Sequence, residues 1–253
     1  MFRLDGKKAV ITGASGDLGF AMARALHDAG ASIAVLDISP KTPELAGELA
    51  GDAPGSAFGI LTDLSDRRAS AAAFEEAAGR LGGVDILLNC AGINVRSPAE
   101  AYAAADWDRI IELNLGATFF LCQLAGRRMI PEGHGKIINI ASMTSFTGGL
   151  NNCAYAASKG GVSQLTKTLS NEWARYGVCV NAIAPGYMWT RMNQSYYTDG
   201  EGRKIREEIT ARIPKGRWGR PEDLMGAAVF LSSEASDYVT GLILPVDGGF
   251  LGR

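Results

Sequence analysis

Histidine is nearly missing from this chain. Its 253 residues contain only His27 and His134. His27 falls on a predicted helix and His134 in a glycine-rich turn. Neither has a nucleophile and an acid in a plausible setting, which argues against a Ser–His–Asp hydrolase. Cysteine is scarce too. Cys90, Cys122, Cys153 and Cys179 are far apart and form no C-x-x-C pair, so neither a disulfide framework nor a zinc site is indicated. No metal is expected. Neither sign of charge dominates: 25 basic and 27 acidic side chains leave a formal net charge of -2. The electrostatic footprint of a nucleic-acid or anionic-membrane binder is therefore missing. The uncharged runs 113–126 and 137–158 are rich in Asn, Ser, Thr and Gly, and read as buried structure instead of a membrane span. Residues 1–7 show no apolar signal segment, so a cytoplasmic protein is expected. No internal repeat or low-complexity tract is visible.

What is present is an alternation. The 47% hydrophobic content supports a sizeable core, and the length suits one α/β domain, here 1–253. Short apolar runs at 8–12, 32–36, 57–61, 84–89, 136–141, 178–184 and 242–246 read as seven buried strands. Helical patterns at 20–29, 65–81, 106–129 and 153–176 separate them, with Ser65 as the expected cap of the second. The pattern predicts a doubly wound, seven-stranded parallel sheet of the Rossmann type, covered on both faces. In such a sheet the ligand lies beyond the carboxyl ends of the strands. Thr12, Asp37, Asp63, Asn89, Ser142 and Pro185 all fall at or just after predicted strand ends. The segment 187–218 breaks the rhythm with three tyrosines, two tryptophans, a Thr-Asp-Gly turn at 198–200 and a charged stretch. It reads as a small helical lid over a substrate.

The first strand runs into Gly13-Ala14-Ser15-Gly16-Asp17-Leu18-Gly19 and then a helix. Strand, glycine turn and helix suit a pyrophosphate, because small residues let the backbone approach and the N–H groups at the helix start face the anion. The second strand ends at Asp37, 24 positions after Gly13, near the offset of about 20 residues expected for an acid that binds an adenosine ribose. Its carboxylate would accept hydrogen bonds from the ribose hydroxyls and repel a 2′-phosphate. Ile38 and Ser39 offer no arginine to rescue phosphate binding, so NAD(H) is favoured over NADP(H). Tyr155 and Lys159, four residues apart, share one helix face. A fixed ammonium beside a phenol lowers its pKa from about 10, so the pair is a candidate acid/base for an alcohol or a ketone.

With these pieces, and with Asn89-Cys90-Ala91-Gly92, Asn114, Ser142 and Pro185-Gly186-Tyr187-Met188-Trp189-Thr190, the sequence resembles the short-chain dehydrogenase/reductase family over essentially its whole length. The resemblance implies roles. Tyr155 would exchange the hydroxyl proton, Lys159 would hold the nicotinamide ribose and lower the phenol's pKa, and Ser142 would bond the reacting oxygen. Asn114 would anchor a proton-relaying water. Gly13, Ser15, Gly16, Asp17, Leu18 and Gly19 would line the pyrophosphate, and Asp37 and Ile38 the adenosine ribose. Asp63 and Leu64 would flank adenine, with Asn89, Ala91 and Gly92 supporting that side. Thr190 would hold the nicotinamide amide, with Pro185, Gly186 and Met188 beside the ring. The family is commonly tetrameric, which implies a homotetramer here.

Two positions depart from the family pattern. Asp17 stands where the second glycine of the turn is usual, and Gly16 comes one residue early. Either Asp17 points outward as a helix cap or the loop is rearranged. Cys90 replaces a second asparagine. Within the family, residues 137–146, 171–174, 181–188 and 213–225 look most like sugar-acid and polyol dehydrogenases. Arg96 is a candidate carboxylate receptor, a role it shares with the plainer one of a surface arginine. Ser142, Thr144, Asn152, Tyr155 and Tyr187 are the other substrate candidates, with Asn151 and Asn193 nearby. A 3-oxoacyl-carrier-protein reductase is a second reading, disfavoured by Asp37 and by the absence of a basic residue at Gly16. A non-catalytic NAD(H)-binding sensor is a third, disfavoured because a pure binder would not need the phenol.

Overall fold

A computed structural model of the chain describes residues 1–51, 56–197 and 200–252. Seven strands form one parallel sheet: β1 (Lys8–Thr12), β2 (Ser32–Asp37), β3 (Ala57–Leu61), β4 (Ile86–Asn89), β5 (Gly135–Ile140), β6 (Val178–Pro185) and β7 (Ile243–Val246). Their order is β3-β2-β1-β4-β5-β6-β7. The chain therefore builds outward from β1 to one edge, returns to the centre, and builds outward from β4 to the other. The reversal between β1 and β4 opens a crevice at their carboxyl ends. Register places Thr12 beside Leu36 and Asn89, and Asn89 beside Asn139.

Around the sheet lie α1 (Asp17–Asp28), α2 (Thr42–Ala50), α3 (Arg67–Leu81), α4 (Ala104–Ile111), α5 (Ala117–Glu132), α6 (Cys153–Trp173), α7 (Glu201–Ala211) and α8 (Met225–Ser232). Strand side chains alternate between faces. Ala9, Ile11, Ile33, Val35, Ile86 and Leu88 meet Met22 and Leu26 of α1, Leu49 of α2 and Ala228 and Leu231 of α8. Val10, Ala34, Leu87 and Ile137 meet Phe74 and Ala77 of α3, Leu121 and Leu124 of α5, and Leu169 of α6. Both faces are dry, which is what the near-continuous apolar strands require.

All seven expected strands are found, with ends shifted by at most two residues. α2 and α8 lie in stretches for which no element is expected. The cap of α3 is Asp66, not Ser65: its carboxylate accepts from the Arg68 and Ala69 N–H groups, while Ser65 donates to Asp63. The single helix expected over 106–129 is α4 and α5 joined by a π turn, Glu112–Gly116. The segment 187–218 contains a 3₁₀ turn (Arg191–Tyr196) and α7, gathered on Trp218, which is 1% exposed. Tyr187, Trp189, Tyr196 and Tyr197 surround that indole with ring centroids 5.3–6.4 Å away. Of the turn expected at 198–200, Thr198 and Asp199 lie outside the described residues.

Candidate active site

The crevice between β1 and β4 holds a groove of about 470 Å³. The glycine turn, Asp37, Ile38, Asp63, Leu64, Ala91, Gly92 and Thr190 line it. Its floor is made by close backbone packing. Gly13 has φ +72°, and a Cβ there would lie 2.6 Å from Ala91. A Cβ on Gly19 would overlap the Gly13 carbonyl oxygen. Only glycine gives that approach of helix, turn and strand. Thr12 Oγ1 accepts from the Cys90 and Ala91 N–H groups at 3.1 and 3.2 Å, tying the turn after β4 to β1. Asp37 is 8% exposed; its carboxylate accepts from Ser15 N–H at 3.0 Å and Ser39 N–H at 3.0 Å. The acid is thus anchored to the glycine turn with lone pairs to spare. The hydroxyls of Ser15 and Thr62, both in the groove wall, are buried without partners. Buried orphan hydroxyls on a glycine cradle fit an elongated polar ligand such as a dinucleotide.

Asp17 does not point a free carboxylate into the groove. It opens α1 behind the Gly16 cap and accepts from Arg191, at 2.7 Å from the backbone N–H and 3.0 Å from Nε. Asn89 lies beneath the turn that follows β4. It is 3% exposed, donates to Asn139 Oδ1 at 2.9 Å, and does not line the groove; Asn139 passes the chain on to Thr166. It cross-links the sheet. Pro185 closes β6, and Gly186 and Met188 follow it. Gly186 donates to the Val246 carbonyl, and the Met188 side chain belongs to the core.

At its Gly92 end the groove meets the second group of residues. A Cβ on Gly92 would lie 3.2 Å from Asn114 Oδ1 and 3.6 Å from Lys159 Nζ. Asn114 is fully buried in the π turn. Its Oδ1 accepts from Ile93 N–H, and both Nδ2 hydrogens are used, on the Ile93 carbonyl and Ser158 Oγ. The side chain therefore pins the loop after Gly92, as a buried asparagine meeting backbone groups does. Lys159, 4% exposed, donates to the Ile140 carbonyl at 2.6 Å and lies 5.7 Å over the Tyr155 ring. Burial lowers its pKa to about 8. Burial raises the Tyr155 pKa, opposed by the Ser142 hydroxyl and the Arg96 charge. The Lys159 ammonium is spent on the Ile140 carbonyl, and in the free protein burial sets the direction for the phenol. Without cofactor the phenol is a neutral acid at pH 7, suited to giving a proton to a ketone oxygen.

Arg96 is an exposed arginine that reaches the lid. It bonds the Tyr196 hydroxyl and Asn193 Oδ1 of the lid and stacks 4.5 Å over the Tyr196 ring, and partial burial lowers its pKa. Ser142 Oγ accepts from Thr144 N–H at 3.2 Å. Thr144 Oγ1, Asn152 Oδ1 and Asn94 Oδ1 are buried without partners. Sequence reasoning did not single out Asn94; its signal was its place between Gly92 and Arg96. A larger hollow of about 720 Å³ lies at the opposite ends of the strands, lined by Asp85, His134, Lys136 and Asp237. Those charges pair with one another, His134 with Asp85 and Lys136 with Asp237, and none of the candidate residues reaches it.

A family model described as enoyl-(acyl carrier protein) reductase, of the short-chain dehydrogenase/reductase group, matches residues 13–251. This chain belongs to the short-chain dehydrogenase/reductase family. It is 48% identical to the 2-dehydro-3-deoxy-D-gluconate 5-dehydrogenase of Dickeya dadantii, over 100% of this chain and 98% of that one. It is 38% identical to the gluconate 5-dehydrogenase of Gluconobacter oxydans, over 98% and 96%. The solved gluconate 5-dehydrogenase of Burkholderia cenocepacia, in complex with NADP and tartrate, superposes with a TM-score of 0.93 at 40% identity over 100% and 98% of the two chains. Among the described residues no helix is long and apolar enough to cross a membrane.

Proposed function

We propose that the protein is an NAD(H)-dependent dehydrogenase that interconverts a secondary alcohol and a ketone on a sugar acid. One observation supports the reading: at the Gly92 end of the groove, beside that glycine, the Lys159 ammonium lies 5.7 Å over the Tyr155 ring. In this reading Tyr155 is the proton donor, Ser142 the hydroxyl for the reacting oxygen and Arg96 the carboxylate receptor. The orphan oxygens of Asn94, Thr144 and Asn152 suit the hydroxyls of a sugar chain. The named activities of the relatives and the tartrate of the Burkholderia structure support the acid class.

When bound, the nicotinamide ring supplies hydride transfer and, oxidised, a positive charge. The chain's own residues do the rest. Ser15, Asp37 and the α1 N-terminus hold the dinucleotide, Thr190 and Lys159 its nicotinamide end. Tyr155 moves the proton, and Ser142 holds the oxygen that gains or loses it. Asp37 repels a 2′-phosphate, and Ile38 and Ser39 give no cationic partner for one. The NADP of the Burkholderia structure is thus a point on which this chain is proposed to differ. We also place the enzyme in the cytoplasm as a homotetramer. Trp107 and Phe119, 41% and 44% exposed on α4 and α5, are apolar surface that such packing would cover.

The test is absorbance at the NADH band with a panel of sugar acids, sugars and polyols. Turnover of an acid is expected. Tyr155→Phe is expected to cut it by orders of magnitude while NADH affinity holds. Arg96→Ala should raise KM about 10- to 100-fold for the acid, the worth of charge-assisted hydrogen bonds, and little for a neutral polyol. Equal effects on both substrates reject the acid reading.

A further inference from the structure

We propose that Arg191, carried by the lid, completes the pyrophosphate site and is the counterion that makes Asp17 compatible with it. The proposal rests on the dinucleotide reading above. A carboxylate in the first turn of α1 suits the helix itself, since it sits at the positive end of the macrodipole. It does not suit an anion arriving at the same end, where like charges repel. Arg191 resolves the conflict. Its backbone N–H and Nε both donate to Asp17, and Nη2 donates to the Ser15 carbonyl. The guanidinium is therefore fixed by two groups of the glycine turn itself. Among the described residues, Nη1 has no protein acceptor. Arg191, Ser15 and Asp17 all line the groove, as does the unpaired Ser15 hydroxyl.

The lid backbone is braced at this point. The Tyr197 hydroxyl accepts from Thr190 N–H at 2.7 Å and donates to the Thr190 carbonyl at 3.1 Å. Tyr197 stacks on Trp189 at 4.3 Å. The arginine is thus delivered from a preformed segment and pre-oriented by Asp17, which reduces the entropy lost when it meets phosphate. The charge that Asp17 brings to the turn is returned with opposite sign by the residue that grips it.

The experiment measures binding by the whole protein, without turnover. NADH is followed by its fluorescence; ADP and adenosine are followed by calorimetry. Arg191→Ala is expected to weaken NADH and ADP about tenfold or more, the effect of losing charge-assisted hydrogen bonds and leaving Asp17 unopposed. Adenosine, which has no phosphate, should change less than about twofold on the same physical ground, and it reports that the groove is folded. In Asp17→Ala/Arg191→Ala the repulsion is gone too, so NADH and ADP should bind more tightly than to Arg191→Ala alone. The proposal is overturned if Arg191→Ala leaves ADP unchanged, if it weakens adenosine as much as ADP, or if the double variant binds no better than the single one. Failure of the unmutated protein to bind ADP at all would strike the dinucleotide reading first and this proposal with it.

Discussion

Replacing Lys159 by methionine should make the cofactor-free protein more stable while destroying its chemistry. The Lys159 ammonium is 4% exposed and has one hydrogen-bond acceptor, the Ile140 carbonyl. Its pKa falls from 10.5 to about 8 because burial penalises the charge. At about 1.4 kcal/mol per unit, that is a folding penalty of about 3.5 kcal/mol. Methionine has a similar length and no charge, but leaves the carbonyl bare, at a cost of about 1 kcal/mol. The net gain at pH 7 is about 2.5 kcal/mol, or about 5–10 °C in melting temperature for a chain of this size. The sign with pH follows from proton counting. Between the folded and unfolded pKa values the unfolded chain binds more protons, so wild-type stability from this group rises with pH. The penalty is fully present below pH 8 and fades toward pH 10.5. Melting curves of Lys159→Met and wild type, compared at pH 7 and pH 10, should therefore show a gap that shrinks as pH rises. A variant less stable than wild type at pH 7, or a gap indifferent to pH, would refute the reasoning.

Asp37→Ser should relax cofactor choice, shifting the NADPH-to-NADH ratio of kcat/KM by about 100-fold, since like-charge juxtaposition costs several kcal/mol. An unchanged ratio would mean that Asp37 only anchors the glycine turn. Gly19→Ala should cost about 1–3 kcal/mol in urea unfolding and abolish NADH binding, because the new methyl meets the Gly13 carbonyl, a backbone atom that cannot rotate away. Wild-type affinity in that variant would show that the floor of the groove is softer than it looks.

The sheet could be read from the sequence because each strand is a short apolar run closed by a residue that must sit at its end, as in Ile11-Thr12-Gly13 or Leu88-Asn89. Two helices escaped for opposite reasons. Met225–Ser232 is apolar on every side, so it carries no helical period to detect. Thr42–Ala50 is only nine residues long, and its one clear signal is a proline in the first turn. Tyr155 and Lys159 were legible because their spacing follows the helix period and Ser142 because it follows a strand end, whereas the role of Asn114 was implied by the family resemblance. The partners that tune them were not legible. Arg96 meets Tyr196 across 100 positions and Arg191 meets Asp17 across 174, and no local pattern encodes such pairs. Nor does spacing show the burial that raises the Tyr155 pKa in the free protein.

The π turn at Glu112–Gly116 has a consequence for how this chain can vary. One extra residue in a helical turn rotates everything beyond it by about 100°. Upstream, α4 is phased to lie on α6; downstream, α5 is phased to lie on α3 and the sheet. The two halves are thus set like hands of a clock on one shaft, and the offset is a single amino acid. Deleting one residue there would regularise the helix and turn one half out of its seat, so insertions and deletions should be tolerated far better in the loops on either side than at this bend.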